Sequence, residues 1–128
     1  MELANASLYD GATSVAEAIS VAINKTKRDN VVISSGFNPN TKEVVNTLID
    51  RNKFNTTYVD LVDYLFPEDY VFSQDDAAFV VSLPHYEGSA QDLTSIVQNA
   101  KAAGVITICY ADPSMLGILK SPGSMGFD

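Results

Sequence analysis

The chain has 128 residues, 46% of them hydrophobic and 19% charged, a composition that fits one globular domain and argues against disorder. Eight basic residues face sixteen acidic ones, and this net charge of −8 argues against nucleic-acid binding, which needs clustered Lys and Arg. No apolar run approaches the ~20 residues that span a bilayer, and the first residues carry neither a basic segment nor a cleavage site. We therefore expect a soluble, cytoplasmic protein that binds neither nucleic acid nor membrane.

Hydrophobic periodicity predicts a long helix near the start of the chain. Its first residues, Asp10–Ser14, form a polar corner. This helix is predicted over Gly11–Thr26, with Asp10 or Thr13 as its N-cap and Ser14-Val-Ala-Glu17 as a capping box. Apolar residues fill most of its circumference, which predicts burial on both sides. The corner is interpreted either as the ordinary cap of a core helix or as an anion or cofactor site at a helix N-terminus.

Strands and helices then alternate along the rest of the chain. The predicted elements are a strand Val31–Ser34, a helix Thr41–Asp50, a strand Thr56–Val62, a loop with one short helix Asp63–Asp76, a strand Ala77–Leu83, a helix Gln91–Ala103, a strand Val105–Tyr110 and a short helix Met115–Lys120. Short apolar strands alternating with helices are typical of a parallel sheet covered on both faces. We predict a three-layer α/β/α fold with a mainly parallel sheet and a single domain over residues 1–128.

Polar residues follow three of the predicted strands, at Ser34–Gly36, Pro84–Tyr86 and Ala111–Asp112. The carboxyl ends of parallel strands share one edge of the sheet, where ligands bind. His85 is interpreted there as a loop residue at a pocket rim, with a general base as the alternative. Asp112 is interpreted as the cap of the helix that follows, with pairing to a cationic ring nitrogen as the alternative.

Other site signals are weak. His85 is the single imidazole, no Cys or carboxylate cluster has metal-ligand spacing, and neither a Walker loop nor a G-x-G-x-x-G follows a strand. Cys109 lies in the apolar run Val-Ile-Thr-Ile-Cys-Tyr, which predicts a buried, inert thiol rather than a nucleophile. We therefore predict no metal site and no catalytic residue.

Several blocks of the sequence resemble one enzyme family from end to end. The blocks are Ala4-Asn-Ala-Ser-Leu-Tyr-Asp-Gly-Ala-Thr-Ser-Val-Ala-Glu-Ala18, Val32-Ile-Ser-Ser-Gly36, Thr41-Lys-Glu-Val44, Ala111-Asp-Pro113 and Leu119-Lys-Ser-Pro-Gly123. They are similar to glycine dehydrogenase (decarboxylating), the P-protein of the glycine cleavage system, in its subunit 1 or the N-terminal half of its one-chain form. The resemblance implies part of the large domain of a fold type I transferase that depends on pyridoxal 5′-phosphate.

The resemblance also implies an activity and its partners. The family decarboxylates glycine and transfers the aminomethyl group to the lipoyl arm of the H-protein. The Schiff-base lysine belongs to P-protein subunit 2, and Lys120 does not match it. The implied role is therefore an oxidoreductase subunit, inactive alone, that completes the glycine and cofactor pocket of subunit 2 without holding the cofactor covalently.

Five cofactor-binding positions follow from the resemblance. Asn5 and Tyr9 match motif positions expected to face the shared active site, and Asp10 and Thr13 open the helix that occupies the phosphate-cradle position. Asp112 resembles the residue that contacts the pyridine nitrogen in active halves and is expected to be structural here. Ser82 and the Pro84–Tyr86 loop depart from the Gln and Pro-Asn-Phe of relatives, so no substrate role is carried over to that loop.

The family fold also prompts an expectation about strand order. We expect Val31–Ser34 to lie beside Val105–Tyr110, or else the chain to form a homo-oligomer through an exposed sheet edge. Two other functions stay open: a stand-alone doubly wound domain that binds a small anion at Asp10–Ser14, and a structural α/β domain whose acidic face meets another subunit.

Overall fold

The computed structural model describes residues 7–52 and 54–128, and in this part of the chain helices alternate with strands as predicted. The elements are α1 (Gly11–Thr26), β1 (Asn30–Ser34), α2 (Pro39–Asn52), β2 (Asn55–Val59), β3 (Asp76–Leu83), α3 (Thr94–Ala102), β4 (Ile106–Ala111), a 3-10 helix (Pro113–Gly117) and α4 (Pro122–Met125). No helix in these ranges combines the length and apolar character needed to cross a membrane.

The strands form a four-stranded parallel sheet with helices on both faces, which confirms the predicted three-layer fold. Side chains alternate along a strand, so Val31 and Ile33 pack with α1 and α2, while Val32 packs with α3 on the other face. All eight residues of β3 are buried, as expected for an interior strand of a parallel sheet.

The strand order is β2-β1-β3-β4, so the expectation that the first strand lies beside the last is wrong. Val31 pairs with Thr56 of β2 on one side and with Ala78 of β3 on the other. The physical reason is burial: the Val31–Ser34 side chains are at most 3% exposed, which requires a neighbour on each side as well as cover on each face. The polar, exposed residues at the start of β2 tolerate an edge instead.

Helix α1 has the predicted bounds and one of the two predicted N-caps, Asp10, but its capping box and its burial differ from the prediction. The capping box joins Asp10 and Thr13, not Ser14 and Glu17. The buried residues lie along one stripe, while Val21 on the opposite face is 65% exposed. Burial on both sides was therefore a wrong expectation, because the sheet and α2 cover one stripe of α1 and none of the elements described above covers the opposite face.

The segment between β2 and β3 contains turns and one isolated antiparallel bridge, Val62 to Leu65, so the short helix expected there is wrong. Its shape is set by aromatic packing, since Phe66 and Phe72 both lie against Phe79 of β3. After β4, the helix predicted over Met115–Lys120 is also misplaced. Asp112 caps a 3-10 helix that already starts at Pro113.

Candidate functional site at the carboxyl edge of the sheet

The N-terminus of α1 lies at the carboxyl edge of the sheet, because its C-terminus leads into the start of β1. The Asp10 Oδ1 accepts hydrogen bonds from the Thr13 amide at 2.8 Å and from the Thr13 hydroxyl at 3.0 Å. The Asp10 amide donates to Thr13 Oγ1 at 3.3 Å. The bond from the Thr13 amide is the main cause that lowers the pKa of Asp10, so its carboxylate is ionised at neutral pH.

This cap does not fit a phosphate group. A helix N-terminus binds an anion through its free first-turn amides. Here the Asp10 carboxylate already accepts from the first turn and places a negative charge where the anion would sit. The described residues therefore make an N-cap, and the cofactor-binding role of Asp10 and Thr13 stays a prediction.

The first turn of α1 is seated against the end of β4. A Cβ atom at Gly11 would collide with the ring of Tyr110, so glycine permits this close approach. The Tyr110 ring in turn stacks on Phe37, with ring centroids 6.0 Å apart and planes 13° apart. These contacts bring the α1 corner, the end of β4 and the turn after β1 together, as the shared edge predicts.

Asp112 follows β4 and caps the 3-10 helix, with its Oδ1 accepting from the Ser114 amide at 2.9 Å. That hydrogen bond lowers the pKa of Asp112. The capping interpretation made from the sequence is thus what the structure shows. A contact between Asp112 and a cofactor stays a prediction.

Tyr9 is an aromatic side chain that is almost fully exposed to solvent. It is 98% exposed, and its neighbour Leu8 is 41% exposed. Both precede the capped end of α1 and so lie beside the carboxyl edge. Asn5, the other position expected to face a shared active site, lies outside the described residues.

The placement of His85 at a pocket rim is wrong. Its side chain is 1% exposed and packs against Gly36, where a Cβ atom would collide with the imidazole Nδ1. The turn after β1 supplies the space, because Gly36 carries no side chain. An imidazole this deeply enclosed is not presented to a substrate as a general base.

Sequence reasoning missed an acidic cleft of about 480 Å³ beside this loop. It is lined by residues that follow β1, β2 and β3: Ser35, Asp60, Leu61, Asp63, Tyr64 and Glu87. Among residues 7–52 and 54–128, no group of three or more His, Cys, Asp or Glu side chains is arranged to hold a metal ion. Carboxylate walls also disfavour a phosphate-bearing ligand.

Two further reactive groups have structural roles. The Lys120 Nζ lies 3.1 Å from Asp92 Oδ2, in an ion pair at the surface. Cys109 is half-buried, and its burial raises the pKa of the thiol to about 12, so the thiol is protonated at neutral pH. Cys109 is less buried than the sequence predicted, and the inertness of its thiol stays a prediction.

The fold and this edge define the chain as a three-layer α/β protein with a parallel sheet and a polar carboxyl edge. The family model "Glycine cleavage system P-protein" matches residues 1–128, and the chain belongs to that family. It is 37% identical over 131 residues to probable glycine dehydrogenase (decarboxylating) subunit 1 of Desulforamulus reducens, and 38% identical over 133 residues to the same subunit of Geotalea daltonii. Each alignment covers all of this chain and 29% or 30% of the relative.

One solved structure gives the same family, and a second gives the same fold. The crystal structure of inhibitor-bound glycine decarboxylase (P-protein) matches with a TM-score of 0.93 and 34% identity, over all of this chain and 29% of that one. A sphingosine-1-phosphate lyase from Burkholderia pseudomallei matches over 77% of this chain with a TM-score of 0.52 and 14% identity, a likeness of fold alone. The chain thus spans about three-tenths of the length of the curated relatives. The glycine decarboxylase family is in general dependent on pyridoxal phosphate.

Proposed function

We propose that this chain acts within P-protein subunit 1 of the glycine cleavage system. In this role it supports glycine decarboxylation and aminomethyl transfer to the lipoyl H-protein by completing the pocket of subunit 2. The observation that carries the proposal is the match to glycine decarboxylase over the whole chain, at a TM-score of 0.93 and 34% identity. The name "subunit 1" in the relatives also implies a second subunit.

The proposal assigns the cofactor to subunit 2. The Asp10 carboxylate disfavours a phosphate at the first turn of α1, and Lys120 is a surface side chain, paired with Asp92, that does not match the Schiff-base lysine of the family. We therefore derive no chemical step through the cofactor on this chain. The same cap disfavours the alternative of a stand-alone domain that binds a small anion at Asp10–Ser14.

The proposed contribution of this chain is a surface that faces the partner. Asn5 and Tyr9 would face the shared pocket, and the ring of Tyr9 is free to do so because it is 98% exposed. The caps made by Asp10, Thr13 and Asp112 would fix the shape of this surface. Residues 1–128 would form a single domain that is part of the large domain of a pyridoxal-phosphate-dependent enzyme.

Replacing Tyr9 by alanine is expected to weaken binding to purified P-protein subunit 2 at least about tenfold, because exposed aromatic side chains are frequent anchors of interfaces. The dissociation constant can be measured by calorimetry or surface plasmon resonance. The free energy of unfolding of the free chain should not change, since the Tyr9 side chain is exposed.

Val21→Ala is the matched control, because Val21 lies on the exposed face of α1 behind the corner and is 65% exposed. It should bind subunit 2 as the unmodified chain does. Equal affinity for the Tyr9 and Val21 variants would contradict the proposed placement of Tyr9. Absence of any binding by the unmodified chain would contradict the proposed function itself.

A further inference from the structure

His85 is a buried polar side chain without a hydrogen-bond partner. Both ring nitrogens are buried, and neither has a hydrogen-bond partner among the described residues. The other buried polar side chains in this part of the chain are all hydrogen-bonded; they are Ser34, Asp76, Ser82, Gln91 and Thr107. Buried polar groups are bonded in most proteins, so this imidazole calls for a physical explanation.

The imidazole joins two loops at the carboxyl edge. It packs against Gly36 in the turn between β1 and α2. Next to it, the Tyr86 amide donates to the Gly36 carbonyl at 2.8 Å. Within its own loop, the His85 amide donates to the Ser89 carbonyl and the Gly88 amide donates to the His85 carbonyl, both at 2.9 Å. The imidazole ring therefore lies between the β3–α3 loop and the β1–α2 turn and packs the two together.

Burial opposes a positive charge on the His85 ring, whereas two neighbouring side chains favour it. The turn at Ser34–Phe37 carries no charge. Glu87 in the same loop is the charged group acting on the ring, and beyond it Asp60 and Asp63 line the adjacent cleft. The Gln91 side chain also raises the pKa of His85, as the smallest of the three influences. Its amide is hydrogen-bonded to the Phe66 backbone and makes no normal hydrogen bond with the ring. Burial outweighs both neighbours and lowers the pKa of His85 below 6.5.

We propose that His85 is a proton-operated latch that holds the β3–α3 loop on the β1–α2 turn while its imidazole is neutral. A protonated imidazole would be a buried charge without a hydrogen-bond partner in the closed arrangement. It gains solvation when the loop opens, so protonation releases the latch. Release would uncover the carboxyl edge beside the acidic cleft.

The direction of the pH dependence follows from the lowered pKa. In the open loop the imidazole titrates near its ordinary pKa of 6.5, whereas in the closed loop it titrates at lower pH. The latch is therefore fully stable above pH 6.5 and weakens as the pH falls below it. The ratio of closed to open loop should fall about tenfold per pH unit until the closed ring itself takes up a proton.

The test follows hydrogen exchange by mass spectrometry at about pH 7.5 and about pH 5.5, with rates corrected for the intrinsic effect of pH. In the unmodified chain, peptides over residues 82–90 and 34–38 should lose protection at the lower pH while peptides over 94–102 keep theirs. The variant His85→Phe, which fills the space without a titratable group, should keep protection at both values. Uniform loss of protection, no loss, or the same loss in His85→Phe would overturn the proposal.

A second measurement needs no variant, because His85 is the only histidine of the chain. Its imidazole C–H protons give a single set of NMR signals that can be titrated directly. The closed-state signal should not shift at pH 6.5 and should be replaced at lower pH by that of a protonated, open form. A ring that titrates in place with a midpoint at or above 6.5, without loop opening, would overturn the latch.

Discussion

Replacing Phe79 by alanine is expected to lower the free energy of unfolding by about 3–5 kcal/mol, the cost of truncating a core aromatic residue. Phe79 lies in β3 with no exposed surface. Its ring centroid is 4.8 Å from that of Phe66 and 5.3 Å from that of Phe72. The change would therefore empty the centre of the aromatic cluster that holds the segment between β2 and β3 on the sheet.

Urea denaturation followed by circular dichroism measures this loss. Phe79→Leu should lose less, because it keeps most of the buried volume. Val71→Ala serves as a control in the same segment, since Val71 is 85% exposed, and its effect should stay within about 0.5 kcal/mol. A loss below about 1 kcal/mol for Phe79→Ala would show that the aromatic cluster is not packed as described.

Replacing Gln91 by alanine is expected to cost about 2–5 kcal/mol, because it leaves two buried backbone groups unsatisfied. The Gln91 amide oxygen accepts from the Phe66 amide at 2.9 Å, and its nitrogen donates to the Phe66 carbonyl at 3.0 Å. Water cannot replace these bonds easily, since Gln91 is 7% exposed and Phe66 is 1% exposed.

The matched control is Gln98→Ala, which removes an exposed glutamine from α3. Thermal unfolding of the two variants should separate them clearly, with the midpoint of Gln91→Ala several degrees lower. Gln91→Glu should also lower the midpoint at neutral pH, because a carboxylate loses the donor to the Phe66 carbonyl and buries a charge. Equal midpoints for the variants at 91 and 98 would contradict the proposed bond pair.

The sequence predicts the local parts of this fold well. The bounds of α1 follow from the Asp10 cap and the helical period, and the end of α3 follows from Gly104, whose φ is +73°. Each of these signals acts within one or two helical turns. The order of the strands was not predictable in this way, because pairing of Val31 with both Thr56 and Ala78 depends on contacts between distant parts of the chain.

In the candidate site, too, local features were predictable from the sequence and features that join distant residues were not. The cap made by Asp112 was expected because its partner, Ser114, is two residues away. The burial of His85 was not, because the space it fills is opened by Gly36 in another loop. The acidic cleft was missed for a related reason, since Ser35, Asp60 and Glu87 become neighbours only after the strands have paired.

In the proposed function, the partner subunit and not this chain holds pyridoxal phosphate. Purified chain, purified subunit 2 and the mixture can each be incubated with pyridoxal phosphate and assayed for a Schiff-base absorbance band that responds to glycine, with borohydride reduction to locate the modified lysine. We predict a glycine-responsive band only when subunit 2 is present, with the modified lysine on that subunit. A stoichiometric, glycine-responsive band from this chain alone would contradict the account.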